Sequence, residues 1–134
     1  MNVLGLCLAL AAAPATQAFV PGEHFTLAWV HSIEKVRWEE DYRVSGPPAR
    51  LVATAARIKG SAAGMEPPPD AVLRDGWFHY TPNERHPTVL RLTRSEFTAD
   101  FELCSPRGCH PMGHWLPSDG GVTEMTACER SATR

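Results

Sequence analysis

The sequence predicts an all-β fold: a small antiparallel β-sandwich or barrel-like domain of about seven to nine short strands. Three observations carry this. Apolar and polar residues alternate with period two in several short stretches, as they do on a half-buried strand. Twelve prolines and ten glycines fall in clusters between those stretches, which suits short elements joined by turns and not a helical bundle. No heptad pattern and no second apolar run of membrane-spanning length appears.

The first segment, MNVLGLCLALAAAPATQAFV, contains no charged side chain. Its apolar run from Val3 to Ala13 matches a signal-peptide core and is too short to span a bilayer as a helix. Ala13-Pro14-Ala15 and Thr16-Gln17-Ala18 are small-residue cleavage candidates. The expected organisation is an export signal over residues 1–18 and one β-rich domain over 19–134, in the periplasm or secreted. The competing reading is a first strand or helix that stays attached. Leu6 is too bulky for a lipoprotein cleavage site, so Cys7 does not read as a lipid anchor.

The expected strands then follow in order. In His24–His31 the odd positions are Phe25, Leu27, Trp29 and His31. In Trp38–Val44 the even positions are Trp38, Glu40, Tyr42 and Val44. Leu51–Ile58 is an Ala-rich strand and Trp77–Thr81 a short aromatic one. Thr88–Thr93, Phe97–Leu103 and Val122–Cys128 complete the set, with one brief helical turn near Pro69–Arg74.

The first two strands read as a hairpin. Opposite residues of an antiparallel pair share a face. The odd set of the first strand must therefore meet the even set of the second. A four-residue loop, Ile33–Val36, pairs Phe25 with Val44, Leu27 with Tyr42, Trp29 with Glu40 and His31 with Trp38. A two-residue Lys35-Val36 turn would need positive φ, which neither residue favours. Parity places Glu40 and His31 on the aromatic face, and Glu39, Asp41 and Arg43 on the other. A carboxylate among Trp29, Trp38 and Tyr42 needs a partner. His31 is the nearest candidate, with backbone or a Tyr hydroxyl as the alternatives.

Other constellations carry less. Gly60–Pro69 resembles a phosphate loop only superficially, since it lacks the GK[ST] ending and its triple proline suits a rigid extended connection. Cys104, Cys109, His110, Met112 and His114 gather soft donors that could hold copper or zinc, though their spacing matches no closed zinc pattern. A disulfide with incidental histidines explains them more simply. Cys104–Cys109 would close a hairpin. Cys109–Cys128 is favoured, because Pro106 and Gly108 already turn that hairpin, and it leaves one thiol over. No Gly-x-Ser-x-Gly elbow exists. Ser32 points away from His31 on a strand, and His79 reads as a packed or edge histidine. With 13 Lys and Arg against 15 Asp and Glu, the chain has no long-range attraction for nucleic acid or anionic membrane.

The run Phe25-Thr-Leu-Ala-Trp-Val-His-Ser-Ile-Glu-Lys35, continuing into Trp38-Glu-Glu-Asp-Tyr-Arg-Val44, resembles the signature of the bacterial domain of unknown function 1850. The Gly60–Pro68 segment and Asp75-Gly76-Trp77-Phe78 resemble its second block. The resemblance covers Phe25 to Leu103, and its motif residues are His31, Ser32, Glu34, Lys35, Glu39, Glu40, Tyr42 and Gly64. It implies a small exported or membrane-anchored protein associated with tripartite ATP-independent periplasmic transporters of the TAXI type, and it supplies no catalytic residue or cofactor.

The expected function is therefore an exported, non-catalytic accessory or binding protein linked to such a transporter. It would act through the charged hairpin, with His31, Glu34, Lys35, Glu39, Glu40, Tyr42 and Gly64 as ligand- or partner-binding residues. Its partners would be the transporter's receptor or membrane subunits. No nucleic acid and no stable membrane insertion of the mature domain is expected. A soft-metal or redox module in the Cys/His/Met tail is the alternative, and a small hydrolase with a Glu40–His31 pair a further one.

Overall fold

The N-terminal apolar run forms strand β1 (Asn2–Leu10) in a computed structural model that describes residues 2–31, 35–60 and 67–131. Within the run, Leu6 and Leu8 are wholly buried and Leu10 nearly so. This is the period-two signature of a strand with one core face. β1 lies between β2 (Ala13–Pro21) and β11 (Val122–Ser131). Residues 2–18, within the segment expected as a removable signal, thus supply β1 and the first part of β2. An uncharged apolar run of this length suits a signal core and a buried strand equally, and the pattern alone does not separate them.

Two antiparallel sheets form the architecture. The four-stranded sheet runs β2-β1-β11-β8, where β8 is Leu90–Thr93. The seven-stranded sheet runs β10-β9-β3-β4-β5-β7-β6. Its members are β10 (Gly108–Pro111), β9 (Glu102–Ser105), β3 (His24–Val30), β4 (Arg37–Ser45), β5 (Arg50–Lys59), β7 (Trp77–Tyr80) and β6 (Val72–Arg74). The sheets do not close into a barrel. They face each other across a core containing Leu6, Leu8 and Val20 from one side and Leu27, Val44 and Leu103 from the other. Met112, in a short 3-10 turn (Met112–His114), plugs this core and is fully buried.

The all-β sandwich matches expectation. Eleven strands among the described residues exceed the expected seven to nine, because β1, β2, β6 and β10 were not separately foreseen. β6 replaces the expected helical turn. The last expected middle strand starts only at Glu102, because Arg94 and Asp100 hold the preceding loop. Arg94 is 2% exposed. Its Nε and Nη2 donate to the Asp100 carboxylate at 3.0 and 2.8 Å, and its Nη1 donates to the buried Thr123 hydroxyl at 3.0 Å.

All four cysteines are paired, as Cys7–Cys128 and Cys104–Cys109. The expected Cys109–Cys128 bridge and leftover thiol are therefore corrected. β11 pairs with β8 and β1, whereas β10 is an edge of the other sheet, so Cys109 and Cys128 sit in different layers. Cys104 and Cys109 face each other directly in the β9–β10 hairpin. Among the described residues no helix is long and apolar enough to cross a membrane.

Candidate functional site

β3 and β4 form the expected hairpin with the expected parity, but each residue's partner is two positions from the expected one. Phe25 faces Tyr42, Leu27 faces Glu40 and Trp29 faces Trp38. The His31 N–H donates to the Val36 carbonyl at 2.9 Å, and the Lys35 N–H to the His31 carbonyl at 2.8 Å. His31 and Val36 are therefore the pair that closes the hairpin. Lys35 adopts φ 59°, the positive value assumed to exclude it from a turn. Glu34 and Gly64 lie outside the described residues.

The outer face of this hairpin carries an interlocked charge ladder. Glu39 accepts from Arg37 Nε and Arg57 Nε, both at 2.7 Å. Asp41 accepts from Arg57 Nη1 at 2.9 Å and Nη2 at 3.2 Å, and from the Thr26 hydroxyl at 2.7 Å. Arg37 Nη2 reaches Glu102 at 2.6 Å. The Glu39 side chain is only 16% exposed, so this face is not a plain solvated one. Burial pushes the Glu39 and Asp41 carboxyls up, but the arginine hydrogen bonds outweigh it and hold both below the ordinary carboxylate range. Beside the ladder lies an open concavity of about 540 Å³, lined in part by Asp41, Arg57, Cys104 and Pro106.

Arg57, Arg37 and Glu102 were not singled out from the sequence. Arg57 reaches the ladder through a β-bulge. Tyr42 pairs with Ala53 but Asp41 with Ala55, so Thr54 is an extra residue in β5. That insertion shifts parity and turns Arg57 outward, directly opposite Glu39. A regular β5 would have turned it into the core. Glu102 joins because β9 pairs with β3 on its far side, setting Glu102 beside Ala28.

On the inner face, Glu40 is half-buried and accepts the Tyr42 hydroxyl at 2.6 Å. Burial, then this bond and the Glu40 charge, push the Tyr42 phenol far above its ordinary range, so it stays a donor. Tyr80 is pushed up by burial and by the same carboxylate. The expected His31–Glu40 partnership is not built. Glu40 stands level with Leu27, four residues along β3 from His31, or about 13 Å at strand rise. A Glu40–His31 acid/base pair is therefore not assembled. His31 instead lines a separate depression with Trp29, Thr93 and Phe101. Trp29 and Trp38 stack with centroids 6.0 Å apart, and this aromatic stack occupies the space between the two groups.

The tail's soft donors are not brought together. Cys104 and Cys109 are joined to each other, and Met112 is in the core. His110 and His114 stack face to face at 4.2 Å, which does not converge their in-plane lone pairs on one ion. Among the described residues, the cluster with metal-ligand spacing is Glu102, Cys104 and Cys109, and both its sulfurs are held in the disulfide.

No curated protein and no solved structure matches the chain. A family model matches residues 25–112, from the start of the hairpin through the Cys104–Cys109 turn to Met112. The chain belongs to the family described as a domain of unknown function (DUF1850).

Proposed function

We propose that the protein is an exported, non-catalytic accessory domain that docks a subunit of a TAXI-type solute transporter through the outer face of its β3–β4 hairpin. The observation that carries this reading is the ladder Glu102–Arg37–Glu39–Arg57–Asp41. Five charged side chains are held in fixed positions across four adjacent strands. A face whose charges are already oriented loses little side-chain entropy on binding and selects partners by complementary pattern. The concavity beside it offers room for a protruding partner residue. Two disulfides fit an oxidising compartment such as the periplasm. The transporter link rests on the family resemblance of the motif.

The test is co-purification with the transporter's solute receptor and membrane subunits. Arg37→Glu combined with Glu102→Arg keeps the 37–102 pair opposite in charge while inverting the pattern seen from outside. The Arg37–Glu39 contact is given up, and Glu39 keeps Arg57 as its counter-charge. The Arg37 and Glu102 side chains are among the more exposed of the ladder, at 38% and 39%. The wild type is expected to retain a partner and the swapped variant to lose it. A swapped variant that melts like wild type and retains every partner, or a wild type that captures neither component, overturns the proposal.

A further inference from the structure

We infer a second site, independent of the charge ladder: the inner-face cavity at Glu40 binds a small organic cation, an amine or guanidine. The cavity measures about 310 Å³, at the small end of ligand-binding pockets. It lies between the seven-stranded sheet and the 81–89 connection. Glu40, Tyr42 and Tyr80 line its sheet side, and Pro82, Asn83 and Glu84 its loop side.

Register explains why a hollow exists there. Glu40, Ala56 and Tyr80 form one row across β4, β5 and β7. Ala56, 1% exposed, is the small residue between the other two in that row. The backbone positions that carry the carboxylate and the phenol are thus two strand spacings apart, about 9.6 Å, with only a methyl side chain between them. The bulge at Thr54 makes this row, because it brings Ala56 to the inner face.

The chemistry of the walls selects the ligand. Glu40 Oε1 is taken by the Tyr42 hydroxyl. Among the described residues no Lys, Arg or His forms an ion pair with this half-buried carboxylate, although every carboxylate of the outer ladder has one. The one nearby guanidinium on the loop is committed elsewhere, Arg85 Nε donating to the Ala53 carbonyl at 2.7 Å. A partly desolvated carboxylate with no counter-charge attracts a cation. Tyr42 and Tyr80 add aromatic surface suited to an ammonium or guanidinium group. Glu84 at the rim adds a second negative charge, its carboxylate held by the His86 N–H at 3.2 Å. Aromatic and proline walls offer too few oxygens to satisfy a hard divalent ion, which takes six to eight.

The experiment is calorimetric titration of the full chain with n-butylammonium and n-butylguanidinium, against n-butanol and calcium ion. Saturable one-site binding of at least one cation is expected, with n-butanol and calcium ion giving none. Glu40→Gln keeps the acceptor for Tyr42 and the volume, and is expected to weaken binding at least tenfold. Tyr42 and Tyr80 ring signals should shift on titration of the wild type, which tests the site even if the variant does not fold. The Arg37/Glu102 swap should leave the binding unchanged, separating this site from the docking face. Equal binding by n-butanol, preference for calcium ion, unchanged affinity in Glu40→Gln, signal shifts confined to other residues, or no saturable binding at millimolar amine overturns the inference.

Discussion

Breaking Cys7–Cys128 should cost more than twice what breaking Cys104–Cys109 costs. The two bridges differ chiefly in the loop they close. Cys7 and Cys128 are 121 residues apart, and Cys104 and Cys109 only five. The chain-entropy relation gives about 5 kcal/mol for the long loop and about 2 kcal/mol for the short one at 25 °C. Specific unfolding entropy for a chain of 134 residues is roughly 0.28 kcal/mol/K, so the expected falls in Tm are about 17 °C and about 7 °C. The long bridge also fastens β1 to β11 at the centre of the four-stranded sheet, beside the wholly buried Leu6 and Leu8.

The assay is thermal melting of Cys7→Ala/Cys128→Ala and Cys104→Ala/Cys109→Ala under non-reducing conditions, with peptide mapping of the wild type to confirm connectivity. Graded reduction adds a kinetic arm. Cys109 is exposed, so the β9–β10 bridge should open to a dithiol before the partly buried Cys7–Cys128 bridge. Equal losses for the two double variants would refute the reasoning. So would wild-type protein in which Cys7 is alkylated without reduction, because β1 would then not be fastened where the structure has it.

Three further outcomes follow from the packing. Arg94→Leu leaves the Asp100 carboxylate without its bidentate partner, and Asp100→Asn leaves a buried guanidinium short of charge compensation. Each should cost about 3–5 kcal/mol in urea unfolding, against near-zero effects at exposed sites. Glu39, Asp41 and Asp100 all have carboxyls held below their unfolded values despite burial that raises them, through hydrogen bonds from Arg37, Arg57 and Arg94. The stability they contribute is complete above the unfolded carboxylate range, near pH 4, and is lost as pH falls through the folded values. Asp41→Asn should therefore flatten the acid limb of the stability curve and leave the neutral-to-basic limb parallel to wild type. Gly5→Ala would set a methyl group 2.3 Å from the Val20 carbonyl oxygen and 2.8 Å from the Phe19 ring. The expected cost is about 1–3 kcal/mol, read as a lower urea midpoint at constant m-value.

The sequence disclosed parity far better than it disclosed register. Odd positions of β3 and even positions of β4 must share the core, and they do. That alone separates Glu39 and Asp41 from Glu40. Moving the loop by one residue keeps parity while changing every partner, so the Trp29–Trp38 stack replaced an expected Trp29–Glu40 pair without disturbing either face. The failures beyond the hairpin share one physical cause: they depend on contacts between segments far apart in the chain. Arg57 looks like an ordinary strand residue until a single extra residue at Thr54 reverses its face. Cys7 looks expendable until β1 is seen against β11, more than a hundred residues away. Glu40 is the instructive middle case. Its placement on the aromatic face was legible from alternation alone, and its Tyr42 partner sits two residues further on the same strand. What alternation could not show was the row that sets Ala56 between Glu40 and Tyr80, in which β5 turns Ala56 inward and Arg57 outward after the bulge. The extra residue at Thr54 is taken up locally, and its deletion would leave Ala55, Ala56 and Arg57 opposite Asp41, Glu40 and Glu39 in a regular ladder. Both the docking ladder and the amine cavity should therefore survive that deletion, while the Arg37/Glu102 swap and Glu40→Gln disturb them one at a time.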